Sequence, residues 1–152
     1  MKRTNQEHGH HDGFPMKAAA ARTVVFLSVV YFVAGIAFGA LAGQAASHPS
    51  RVAWRVAAWV LSAIAFGAHI VYEQVRLHSS PTITALHVSS AAALGAFGLA
   101  AAANVHAQIV SPHQHSLLLV LSLAIWPVMT ALPALVVALV VATLFARAGR
   151  SV

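Results

Sequence analysis

The chain contains no cysteine, which excludes disulfides, iron–sulfur clusters and thiolate metal sites. Acidic residues are almost as scarce, with Glu7, Asp12 and Glu73 the only three among 152. Charged residues of both signs amount to 8%, against roughly 25% in an ordinary soluble domain. Such a chain cannot face water on all sides, so a soluble enzyme, a disordered protein and a soluble nucleic-acid-binding domain are excluded. Phosphate-binding, dinucleotide, zinc-protease and nucleophile-elbow motifs are absent. Glu73 is the only carboxylate near an apolar stretch, so paired-carboxylate catalysis is excluded too. An enzyme acting by itself on a soluble substrate is not expected.

Apolar residues dominate what is present, at 59% of the chain. They fall in four runs, at about 23–43, 52–75, 82–106 and 117–146. Crossing ~30 Å of hydrocarbon takes about 20 helical residues, and each run is long enough. Lipid offers no hydrogen bonds to the backbone, so a spanning segment is a helix or part of a closed barrel. None of the runs alternates as barrel strands do. The sequence predicts an all-α, four-helix transmembrane bundle over 18–147, with a flexible polar tail at 1–17 and a short tail at 148–152. The breaks around Ser47-His48-Pro49, His78-Ser79-Ser80-Pro81 and Ser111-Pro112 are short, which predicts antiparallel, up-down neighbours. A secretory signal in the first run, cut near Ala40-Leu41-Ala42, is disfavoured because the apolar core is too long and a polar tail precedes it.

Nine Lys and Arg residues give a formal charge of +6. In a soluble domain this would point to nucleic acid. Here the basic residues flank the apolar runs and form no stripe, so their meaning is topological. With the N-terminus inside, seven lie on the inner segments and two, Arg51 and Arg55, on the outer. That bias predicts both termini in the cytoplasm, in a membrane of the bacterial inner type. Trp54 and Trp59 then sit near the outer interface. The expected partners are the lipid bilayer and either further copies or a larger membrane complex.

Two packing features stand out. Gly35, Gly39 and Gly43 recur every four residues and form a small-residue stripe for close helix approach, within the bundle or against a second copy. Pro127 and Pro133 interrupt the fourth run and predict a kink. Thr130, between them, is placed to satisfy a freed carbonyl.

Ten histidines are the unusual part of the composition. His69 and Glu73 share a face of the second helix at i and i+4. His87, on the third, lies at a similar depth, the two histidines being roughly 14 Å and 13 Å from the intervening turn. A polar group at membrane depth is a functional candidate by default, and three chemistries fit these residues. His69 and His87 suit axial ligation of a b-type haem, with Ala65, Ala68, Ala91, Gly95 and Gly98 leaving room for the porphyrin. His69, Glu73 and His87 form a two-histidine, one-carboxylate set for Zn, Fe or Mn. The same groups suit proton transfer. A bundle-organising hydrogen-bond network with no cofactor is the simplest alternative. Four spans with helical histidines resemble small membrane cytochrome subunits in layout, though not in motif. Weaker metal candidates are His113 and His115 with His106 or His48, and the tract Glu7-His8-Gly9-His10-His11-Asp12. Asn104 reads as a hydrogen-bonding residue near a helix end. The sequence therefore points to a membrane subunit or scaffold with a buried His/Glu cluster, or to a small transporter or resistance protein for protons or a divalent metal.

Overall fold

The structure, a computed structural model, describes residues 13–110 and 117–149. It is all-helical: α1 (Gly13–Gln44), α2 (His48–Val75), α3 (Pro81–Val110) and α4 (Leu117–Ala148). All four helices are long and apolar enough to cross a membrane, which marks the chain as a membrane protein. With 28 to 32 residues each, they are about 42–48 Å long, against ~30 Å of hydrocarbon. Helix α1 begins ten residues ahead of its expected apolar run, so the polar stretch from Gly13 is helical and not tail.

Local chemistry accounts for the helix starts. Ser47 is extended (φ −122°, ψ 153°), and its hydroxyl accepts from the Ser50 N–H at 3.3 Å. Pro49 follows in the first turn, where a missing N–H costs nothing. Pro81 opens α3 behind Ser80, whose hydroxyl accepts from the Ile83 N–H at 3.4 Å. Between α2 and α3, His78 takes the left-handed conformation at φ 50°. This turns the chain so that the Ser79 N–H reaches the Glu73 carbonyl at 3.2 Å.

Helix α4 runs unbroken through Pro127 and Pro133. The carbonyls these prolines leave without a helical donor are those four residues back, at Leu123 and Met129. The Thr130 hydroxyl donates to the Trp126 carbonyl, so the expected rescue of a freed carbonyl does not occur. Thr23, Ser28 and Thr143 satisfy their hydroxyls in the same i−4 manner.

Helix α3 is the centre of the molecule. It packs extensively on α4 and on α1, while α1 also packs on α2; α2 meets α3 and α4 over short stretches, and among the described residues α1 and α4 do not touch. Small side chains make this possible. Tyr31 and Phe32 of α1 lie directly over Gly95 and Gly98 of α3, and Leu99 of α3 lies over Gly35. The buried set is rich in alanine, whereas large aliphatic and aromatic side chains point outward along every helix. This distribution suits lipid. Hydrocarbon gives helices no hydrophobic reason to associate, so close packing and interhelical hydrogen bonds hold them together. One such bond runs from the Asn104 amide on α3 to the Ser122 hydroxyl on α4 at 3.1 Å. Asn104 thus joins two helices, where its position had suggested only a hydrogen bond at a helix end, and α3 continues past it to Val110.

Candidate functional site

The largest fully buried side chains are Ile70, His69, Glu73, Val88 and Thr84. Three of the five are polar, and all lie where α2 and α3 approach their shared turn. An apolar cluster of Ile70, Ala85, Val88, Ala138 and Ala142, flanked by Phe66, Leu135 and Val141, joins α2 and α3 to α4 nearby. A polar group inside a membrane bundle is therefore set in the best-packed part of the molecule.

Glu73 is its hub. The carboxylate is fully buried, and each oxygen has its own partner. Oε2 accepts from the Ser79 hydroxyl at 2.7 Å. Oε1 is 3.0 Å from Nδ1 of His87 on α3, a bond in which an ionised carboxylate accepts and the imidazole donates. Nε2 of His69 lies 3.7 Å from the same Oε1, beyond hydrogen-bond length. Both ring nitrogens of His69 are buried and have no hydrogen-bond partner among the described residues. His87 differs, since about a third of its side chain (32%) is exposed. The cluster thus has an open end at His87 and a closed end at His69.

The turn reinforces this arrangement. The Gln74 side-chain amide donates to Thr84 Oγ1 at 2.8 Å and to the Ser79 carbonyl at 3.3 Å. Ser79 is therefore held from two sides while it holds Glu73. His69, Glu73 and His87 lie together, and Ser79, Gln74 and Thr84, which no spacing in the sequence points to, join them. The signal was the hydroxyl-bearing turn His78-Ser79-Ser80 beside the only intramembrane carboxylate. Side-chain reach back across a turn has no periodicity by which to detect it.

The cofactor expectations meet this geometry unevenly. Axial haem ligation needs two imidazole nitrogens facing one iron across a porphyrin. Here both rings approach a carboxylate oxygen. The room expected at Gly95 and Gly98 is filled, since a Cβ at Gly95 would lie 2.7 Å from Tyr31 Cβ and one at Gly98 2.9 Å from Phe32 Cδ2. The residues present do not fit a haem between His69 and His87. Among the described residues no group of three or more His, Asp or Glu side chains is disposed to hold a metal ion. His48 and His106 are exposed at helix ends; His113, His115 and the tract 7–12 lie outside the described residues.

No family model, curated protein or solved structure matches the chain. What it does has to be argued from the site itself.

The glycine stripe divides in two. Gly35 receives Leu99 of α3, whereas among the described residues a Cβ at Gly39 or Gly43 would meet nothing within 4 Å. The stripe therefore serves helix packing at Gly35 alone. All three line a groove of about 430 Å³ between α1 and α2, which is open above Gly39 and Gly43.

Proposed function

We propose that this is a small integral membrane protein, acting as a subunit or carrier, in which Glu73 exchanges a proton between His87 and His69. One observation carries the reading: a fully buried imidazole whose ring nitrogens have no hydrogen-bond partner among the described residues stands beside a buried carboxylate already bonded to a part-exposed histidine. Buried polar atoms without partners are costly and uncommon, and hydrocarbon makes them more so. Packing alone would favour an apolar residue at position 69.

The chemistry follows from the distances. A proton reaching His87 from the turn side passes along the 3.0 Å contact to Glu73 Oε1. From Oε1, a small rotation of either side chain closes the 3.7 Å gap to Nε2 of His69. His69 lies one helical turn further from the α2–α3 turn than Glu73, about 6 Å deeper, and on taking a proton at Nε2 it gives up the one on Nδ1 toward the far side, the step that net flux requires. Ser79 holds the other carboxylate oxygen throughout, fixing the geometry of Glu73 without titrating in this range.

The up-down, antiparallel arrangement with both termini in the cytoplasm belongs to the same proposal. Contacts between α1 and α3 advance together along both helices, as Tyr31 with Gly95 and Gly35 with Leu99, which supports a parallel pair. Those between α2 and α3 run oppositely, as Glu73 with His87 and Gln74 with Thr84. The excess of Lys and Arg supports the inner side for the termini and for the α2–α3 turn.

The test is proton flux into proteoliposomes under an imposed potassium diffusion potential, read by an entrapped pH dye. Wild type is expected to carry flux, and Glu73→Gln and His69→Leu to abolish it while remaining folded by thermal melt. Flux equal to wild type in folded Glu73→Gln overturns the proposal in favour of a structural network. A b-type band in the reduced-minus-oxidised spectrum, lost in His69→Ala and His87→Ala, would replace it with haem binding. Stoichiometric Zn, Fe or Mn in the purified protein would replace it with a metal site.

A further inference from the structure

The groove between α1 and α2 lies at the opposite end of α2 from Glu73, and the proton-handling reading makes no use of it. Its walls are two ladders of four-residue spacing. Gly39 and Gly43 come from α1, and Arg51, Arg55 and Trp59 from α2. At the two open glycines the floor is bare backbone. Its volume, about 430 Å³, falls within the usual ~300–1,000 Å³ of ligand pockets.

Charge sets the chemistry of the occupant. Arg51 and Arg55 are one helical turn apart on the same face and make no ion pair among the described residues. Among the described residues the only side-chain carboxylate is Glu73, 18 residues beyond Arg55 on the same helix, or about 27 Å away. Two adjacent guanidinium groups repel one another, and a membrane protein that keeps both gains from an anion between them. Guanidinium forks match phosphate oxygens in bidentate fashion.

Position selects a lipid over a soluble anion. The arginines stand in the first two turns of α2, at the membrane end of the groove. From Gly43 the groove runs back to Gly35, about 12 Å into the helix, and becomes apolar. Trp59, one turn beyond Arg55, is 79% exposed and with Phe38 and Ala58 makes the deeper lining apolar. A phosphate at the mouth, with the start of an acyl chain along the glycine floor, matches this order of polar then apolar lining.

We propose that the Arg51–Arg55 groove between α1 and α2 binds the phosphate headgroup of an anionic phospholipid, with the upper part of one acyl chain laid over Gly39 and Gly43. The guanidinium groups pair with the phosphate, and the absent side chains at the two glycines provide the space for the chain.

The test is thermal stability of the purified full chain in detergent micelles, titrated with dioleoyl phosphatidylglycerol or dioleoyl phosphatidylcholine. Phosphatidylglycerol is expected to raise the melting temperature at concentrations at least tenfold lower than phosphatidylcholine. Arg51→Gln/Arg55→Gln should melt as wild type in phosphatidylcholine and lose the preference. Gly39→Leu, which fills the floor, should lose it as well, and Arg51→Lys/Arg55→Lys should keep part of it. Glycerol phosphate and inorganic phosphate are expected to give no shift. A shift with either soluble anion equal to that with phosphatidylglycerol overturns the lipid assignment. Equal response to the two lipids in wild type, or a preference that survives in Arg51→Gln/Arg55→Gln, overturns the site. A dimer mass lost on Gly39→Leu would assign the groove to a second copy instead. Glu73→Gln should leave the lipid preference intact, so the two proposals fail separately.

Discussion

Ser79 is small, lies outside the helices and holds the central carboxylate. Its hydroxyl is the donor to Oε2 of the fully buried Glu73 carboxylate. Ser79→Ala is expected to destabilise by about 1–3 kcal/mol, the cost of a buried acceptor left without its donor. Glu73→Ala should cost at least as much, because it strips both Ser79 and His87 of their acceptor. Double-mutant melts check the coupling: Ser79→Ala should add little once Glu73 is Ala. Additive effects in that cycle would show that the two residues do not act through one another. The participation of Ser79 was not legible in the sequence, since it depends on His78 adopting a left-handed turn that places residue 79 back over residue 73.

Among the helices, identical residues do different work. Gly95 sits under Tyr31, with a Cβ position 2.7 Å from Tyr31 Cβ and 3.3 Å from the Ser28 carbonyl. Neither neighbour is the free end of a flexible chain, so Gly95→Ala must push α1 away from α3. A loss of about 1–3 kcal/mol is expected from overpacking. Gly39→Ala meets open space, and the better helix propensity of Ala should leave stability unchanged or raise it by up to about 1 kcal/mol. Melting temperatures of the two variants in one detergent give the comparison, and equal losses would contradict the packing described. The four helices were legible from their apolar runs, to within a few residues at most ends. Which face of each helix packs was not. Gly35, Gly39 and Gly43 read as one stripe, yet Leu99 covers the first while the groove is open over the other two.

For the molecule as a whole, the absence of cysteine makes topology directly measurable. Single cysteines at Ala46, between α1 and α2, and at Gly149, just after α4, can be labelled with a membrane-impermeant maleimide without background. With an up-down bundle and both termini inside, Ala46→Cys should label in intact cells and Gly149→Cys only after lysis. The reverse pattern would invert the orientation, and labelling of both in intact cells would break the even number of crossings. The same measurement fixes the side from which His87 is reached and the leaflet that holds the Arg51–Arg55 groove.

Composition and run length alone dictate that this chain makes four membrane-length helices. In hydrocarbon the backbone must satisfy itself, and local sequence is enough to specify that outcome. The nearness of His69, Glu73 and His87 also followed locally, from i, i+4 spacing and a short turn. Only the tertiary structure shows that the two histidines meet at a carboxylate, that α1 fills the space expected for a cofactor, and that α3 stands at the centre. It also decides that two arginines face an open glycine floor. These arrangements depend on how each helix is rotated about its axis. A nearly uniform alanine, valine and leucine background leaves that rotation undirected until small residues on neighbouring helices come into contact.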